Sequence, residues 1–281
     1  MGIEPPALLE NRVCYRLLSA DLGASVPGLE LTRARYFDGI NVGEAMAHEL
    51  AEVVLAGADL EQDGQFPERL VLRRSLGDPT DVGSRTSLVA LTVLTLRVPE
   101  HGPASFMLHW RDPAAVAHAG GLYQVMPVGV FQPVAEGREA ERRDLDLWRG
   151  MAREFSEEFL GTPEEYEAGY ERGPFFVALG AARRSGDLAV WCLGLGVDPL
   201  TFAADLLCVA VLRASAFDAL FPQLVGANAE GRVVNWPGMT GIPFTAEVVA
   251  RFAGGAERMQ PAGAAVLDRA WRHRRELGVG R

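Results

Sequence analysis

Four residues of the run Arg153-Glu-Phe-Ser-Glu-Glu158 have the types and spacing that chemistry would need. On a helix, positions i, i+3 and i+4 share one face, so Glu154, Glu157 and Glu158 converge there if this run is helical. Three carboxylates held that close repel one another unless a cation neutralises them. Hard oxygen donors of this kind suit Mg²⁺ or Mn²⁺, with the remaining positions left to water and phosphate. Glu154, Glu157 and Glu158 are therefore the candidate metal ligands, and Glu157, Glu158 and Arg153 the candidate catalytic groups. Arg153 lies in the helix row beside Glu157, which suits it to orienting the glutamates rather than touching substrate. The bland alternative is a solvated helix face whose Arg–Glu pairs contribute about 0.2–0.5 kcal/mol each.

The element that must position these groups spans Asp144–Gly161. Asp144 is suited to cap its N-terminus and Gly161 to end it. Leu145, Trp148, Ala152, Phe155 and Phe159 fall at helical spacing and predict the face that packs on a core.

Arg153-Glu-Phe-Ser-Glu-Glu158 reads R-E-φ-x-E-E and resembles the second half of the Nudix box, G-x5-E-x7-R-E-φ-x-E-E-x-G-φ. The resemblance implies glutamates that hold metal ions and activate water against a diphosphate. Met126-Pro-Val-Gly129-Val-Phe131 resembles the strand and glycine turn that open the box. The first half departs from the pattern. Leu145 stands where the upstream glutamate falls, with Asp144 and Asp146 beside it. Leu160 takes the place of the box glycine, which comes one residue late as Gly161. The connection Gln132–Arg143 is longer than the family pattern. Gly129, and His118 beside Gly120-Gly121, are candidate substrate contacts; the plain alternative for His118 is to cap a strand end.

Composition narrows the function classes. The chain has 281 residues, enough to bury a large core in one or two domains, and is 48% hydrophobic and 23% charged, an ordinary globular balance. No apolar run has the length of a membrane span, and the N-terminus lacks a secretory pattern, so no membrane association and a cytoplasmic location are expected. Met1-Gly2 begins like a myristoylation site, but Pro6 takes the Ser/Thr position. A net charge of −10 argues against nucleic acid as a partner. All 27 basic residues are arginine. Lysine chemistry is therefore excluded, including Schiff bases, pyridoxal phosphate and the P-loop and kinase lysines. Any cationic clamp on phosphate must be arginine. The three cysteines, Cys14, Cys192 and Cys208, are odd in number and outside any C-x-x-C spacing, and are read as buried small hydrophobes in a reducing compartment. The five histidines show no zinc spacing, and neither a third dinucleotide glycine nor a G-x-S-x-G elbow is present.

Three regions are expected: an N-terminal extension at 1–65 with one helix near Asn41–Ala56, an α/β core at 66–225, and C-terminal loop and helices at 226–281. Within the core, Leu70–Leu76, Ser87–Val98, Ala104–Trp110, Leu122–Phe131, Phe175–Leu179, Leu188–Leu193 and Leu206–Leu212 read as strands. Strands, a long helix, more strands and a helix suit a Nudix-like α/β/α sandwich with a mixed sheet better than a doubly wound parallel sheet. The segments Gly120–Pro133, Asp144–Gly161, Gly194–Thr201 and Pro261–Arg274 also resemble a C-terminal, Nudix-like portion of actinobacterial helix-turn-helix regulator-type proteins. That likeness covers about 66–277; a helix-turn-helix segment is not found in 1–65.

The expected activity is metal-dependent hydrolysis of a phosphoanhydride bond in a nucleoside diphosphate derivative or another small diphosphate. Two alternatives stay open: a non-catalytic ligand-binding regulator, and a biosynthetic enzyme that has repurposed the fold. The sequence leaves room for a homodimer.

Overall fold

The structure, a computed structural model, describes residues 10–57, 68–114, 119–164, 166–167, 169–224, 226–228 and 231–280. The chain opens with β1 (Val13–Asp21), β2 (Gly28–Arg35), α1 (Tyr36–Leu55) and α2 (Val71–Leu76). Five strands follow: β3 (Val89–Val98), β4 (Ser105–Phe106), β5 (Leu108–Arg111), β6 (Tyr123–Val125) and β7 (Val128–Val130). Then come α3 (Arg138–Arg143), α4 (Leu147–Leu160), α5 (Pro174–Ser185), β8 (Leu188–Val197), β9 (Ala204–Arg213) and α6 (Ala214–Leu220). The last elements are β10 (Ala227–Asn228), β11 (Gly231–Val234), β12 (Ile242–Pro243), α7 (Ala246–Ala253) and α8 (Pro261–Arg272). β1 and β2 form a hairpin, a second sheet has the order β10-β11-β5-β6, and a third has the order β12-β4-β3-β9-β8 with β7 paired to β3. This is a mixed α/β fold of several sheets and helices.

The chain gathers into two compact units, one holding residues up to Ala90 with Val130–Gln132 and Leu195–Asp205, the other Leu91–Gly129, Pro133–Gly194 and Leu206 onward. In the first, β1 is buried through Val13, Cys14, Tyr15 and Leu17, and the Tyr15 ring lies 4.6 Å from that of Phe131. Two buried arginines hold the 198–203 turn. Arg73 donates to the carbonyls of Met46, Pro199 and Leu200, and Arg85 to those of Pro79, Asp81 and Phe202. Both guanidiniums lie over the Phe202 ring, at 4.6 and 5.3 Å from its centroid. The fork of an arginine matches this set of backbone acceptors in a way a lysine cannot.

The core of the second unit is built from alternate residues of its strands, such as Leu94, Leu96, Leu207 and Val209, against Val248, Phe252, Val266 and Leu267 of α7 and α8. Phe106 meets Phe244 and Phe252 edge-on at 6.2 and 5.9 Å. No helix among the described residues is long and apolar enough to cross a membrane.

Several local expectations change. Leu70–Leu76 is not a strand: α2 forms there because the Glu49 carboxylate of α1 accepts from the Leu72 and Arg73 N–H groups at 2.6 and 3.0 Å, capping a helix from outside its own sequence. Phe175–Leu179 lies inside α5, which begins with Pro174 and ends on the left-handed Gly186 (φ 82°). The β1–β2 hairpin was not expected, and α1 starts at Tyr36 rather than Asn41. The single strand expected at Leu122–Phe131 is two, β6 and β7, with Met126 and Pro127 between them. Part of the long connection Gln132–Arg143 is taken up by α3.

Candidate functional site

The helix that carries the glutamates, α4, is capped by Asp146, whose side chain accepts from the N–H groups of Trp148 and Arg149 at 2.9 and 3.2 Å. The expected cap, Asp144, has another task. It is fully buried, accepts from Arg143 Nε at 3.0 Å and from the Val134 N–H at 3.0 Å, and ties the preceding loop to the helix. Burial works to raise its pKa, but those hydrogen bonds outweigh it and hold the carboxyl below the usual range. At the other end Gly161 takes the left-handed conformation (φ 68°, ψ 27°) and its N–H bonds the Glu157 carbonyl.

One face of α4 carries Phe155 and Phe159. Their rings pack on Phe221 at 6.0 and 4.7 Å, and Phe159 meets Phe217 at 6.1 Å. Rings so placed fix the rotation of the helix about its axis, and with it the direction of the glutamate row. Leu145 is not part of that face and is half exposed.

Glu154 and Glu158, one turn apart, reach β7. Glu158 Oε1 accepts from the Val128 N–H at 2.8 Å. Glu154 lays its carboxylate on Gly129: a Cβ built there would stand 2.1 Å from Cδ and from both oxygens. Gly129 does not have a left-handed φ, so close approach of this carboxylate, not backbone conformation, is what calls for glycine. The strand is itself anchored, with Val93 N–H donating to the Pro127 carbonyl at 3.0 Å and Thr95 Oγ1 to that of Met126 at 2.8 Å. β7 and α4 are thus brought together across about thirty residues of chain.

Electrostatics mark Glu154 among the three. Burial first, and then the charges of Glu157 and Glu158, push its pKa well above the ordinary glutamate range; Arg153 opposes them weakly. Glu157 is hydrogen-bonded to Tyr166, whose phenol is pushed up by burial and by that negative charge. Arg153 is buried, with its guanidinium carbon 6.0 Å from the centre of the Tyr170 ring. Glu154, Glu157, Glu158, Arg153 and Gly129 therefore lie in one neighbourhood. Among the described residues, no group of three His, Cys, Asp or Glu side chains is already disposed to hold a metal ion. His118 lies outside the described residues.

Two partners escaped the sequence reading. Tyr166 sits in Glu164-Glu-Tyr-Glu167, a run whose carboxylates read as a solvated acidic face or as a late addition to a metal site, with no role for the phenol, and the Val128 backbone N–H has no side-chain signature at all. Phe221 also lines a separate cavity of about 550 Å³ with Phe217, Asp218, Asn235, Trp236 and Met239; the three glutamates are not among its lining residues.

No family model and no curated protein matches the chain. Among solved structures it is similar to the Nudix hydrolase RenU from M. smegmatis, with 15% identity over 68% of this chain and 85% of that one and a TM-score of 0.28. It is also similar to a Nudix hydrolase from Alicyclobacillus acidocaldarius, with 14% identity over 65% of this chain and 90% of that one and a TM-score of 0.33.

Proposed function

We propose that the protein is a metal-dependent, Nudix-like hydrolase that cleaves a phosphoanhydride bond in a nucleoside diphosphate derivative or another small diphosphate. The observation that carries this reading is the crowding of Glu154, Glu157 and Glu158, with Glu154 seated on Gly129. Two like charges beside a half-buried carboxyl are an arrangement that a divalent cation relieves.

The donor chemistry fits Mg²⁺ or Mn²⁺, and Glu154, Glu157 and Glu158 would hold it, Glu157 turning from Tyr166 to do so. Such an ion supplies charge neutralisation at the phosphate oxygens and acidifies water. Water attacks one phosphorus of the diphosphate, the bridging oxygen leaves with the other phosphate, and Glu157 or Glu158 takes the proton from the water. Arg153 steadies the glutamate row from within the helix, and Gly129 keeps free the space that the Glu154 carboxylate occupies.

A second reading, a ligand-binding regulator without catalysis, draws on Leu145. It stands where the box pattern has a carboxylate, and its half-exposed apolar side chain offers no donor. The two separate in one experiment: phosphate release from nucleoside diphosphate derivatives and dinucleotides with Mg²⁺ or Mn²⁺, with a coupled phosphatase where the product is a monoester. The hydrolase reading expects metal-dependent turnover that falls roughly 10²-fold or more in Glu157→Gln and in Glu158→Gln. Absence of turnover together with absence of Mn²⁺ binding to the wild type would overturn it.

A further inference from the structure

β8 and β9 are neighbours in the six-stranded sheet, and β8 is its edge. Each carries one cysteine, Cys192 exposed on β8 and Cys208 buried on β9. The Arg213 N–H donates to the Asp187 carbonyl at 2.9 Å, and five residues inward from that pair along the two strands stand Cys192 and Cys208, opposite each other; Cys192 Sγ also approaches the Gly194 carbonyl at 3.9 Å. Side chains that meet across neighbouring strands have Cβ atoms roughly 4.5–5.5 Å apart. A disulfide needs roughly 3.5–4.5 Å. The difference is small, and an edge strand held by hydrogen bonds on one side is well placed to close it.

We propose that Cys192 and Cys208 are a thiol pair that closes to a reversible disulfide, with Cys192 attacking and Cys208 resolving, when a low-molecular-weight disulfide reaches the edge strand. In the first step the Cys192 thiolate attacks one sulfur of the reagent. The reagent's S–S bond breaks, one small thiolate leaves, and a mixed disulfide stands on Cys192. In the second, Cys208 releases its proton to solvent and its sulfur attacks Cys192 Sγ, expelling the second small thiolate. Two protein thiols are oxidised and one small disulfide is reduced to two thiols.

The electrostatics run the same way. The hydrogen bond from Cys208 lowers the Cys192 pKa to about 6, so the exposed sulfur is the nucleophile at neutral pH. Cys208 is held far up by its hydrogen bond to Cys192, by burial and by the Cys192 charge. The first and last of these causes vanish once Cys192 is capped, which frees the buried thiol to act in the second step. Cys14 is the internal control: burial raises it to about 12, and it takes no part.

The test is exposure of the folded, full-length protein to oxidised glutathione, followed by denaturation, alkylation and mass spectrometry. Cysteine-containing fragments come from cleavage before Asp198 and Asp205, which separates Cys192 from Cys208. The wild type is expected to lose the mass of two hydrogens, to take a single label, on Cys14, and to yield the two fragments joined until dithiothreitol parts them. Cys208→Ser should instead stop at a glutathione adduct on Cys192, and Cys192→Ser should take no adduct. A wild type that stops at the same adduct, with Cys208 still open to alkylation, would overturn the pair. So would a Cys192 that does not react.

Discussion

Gly129→Ala turns the geometry beneath α4 into a measurement. The added methyl would stand 2.1 Å from three atoms of the Glu154 carboxylate, about 1.3 Å short of ordinary van der Waals contact at 3.4 Å. The glutamate side chain can swing, so the cost belongs with ordinary overpacking, about 1–3 kcal/mol. Against it stands a gain: Gly129 has an ordinary φ, and alanine at such a site stabilises by roughly 0.4–1 kcal/mol through the unfolded chain. Gly129→Ala should therefore destabilise the wild type by up to about 2.6 kcal/mol. In a Glu154→Ala background, with the carboxylate gone, the same substitution should stabilise by roughly 0.4–1 kcal/mol. Denaturant unfolding of the four proteins at one pH gives the cycle, and a coupling of about 1–3 kcal/mol is expected. Equal effects of Gly129→Ala in both backgrounds would show that the carboxylate does not sit on this glycine. On the metal-binding reading, the displaced Glu154 also weakens Mn²⁺ affinity roughly 10–100-fold, measurable by titration.

Glu154 also makes a prediction in pH. Its folded pKa is raised, so the folded protein keeps a proton that the unfolded chain loses; this stability is fully present below the ordinary value of 4.5 and is lost as pH rises through the folded pKa. Metal-free wild type should accordingly lose Tm across that window while Glu154→Gln does not, and Mn²⁺ should restore the wild type alone; parallel Tm–pH curves would refute the assignment. In the first unit, Arg73→Ala strips the Met46, Pro199 and Leu200 carbonyls of a charged donor, and a loss of roughly 3 kcal/mol or more is expected in unfolding experiments. Arg73→Lys should recover little of it, because an ammonium cannot span three carbonyls and cover Phe202 at once; full recovery would sink the argument.

Much of α4 was legible in the sequence. The spacing of Phe155 and Phe159, the glutamate row and Gly161 all depend on residues three or four apart, and the helix runs Leu147–Leu160 with those features in place. Its cap moved from Asp144 to Asp146 because Asp144 is drawn into the interior by Arg143 and the Val134 N–H. α5 was misread although Pro174 and Gly186 flank it with the usual start and stop signals, because the aromatic and β-branched run Phe175-Phe-Val177 has strand propensity. For α2 no local reading could have served, since the carboxylate that caps it comes from α1.

What the sequence determined by itself was local pattern and composition: oxygen donors at helical spacing, no lysine, a strong negative balance and a mixed α/β element order. Tertiary structure alone decided which groups meet. It set Gly129 under Glu154 and the Val128 N–H against Glu158, left Cys192 exposed although all three cysteines read as core, and placed it on the strand beside that of Cys208. The reason is range: helix periodicity is written within four residues of chain, whereas a carboxylate over a glycine or two thiols across a sheet exist only once distant segments have packed.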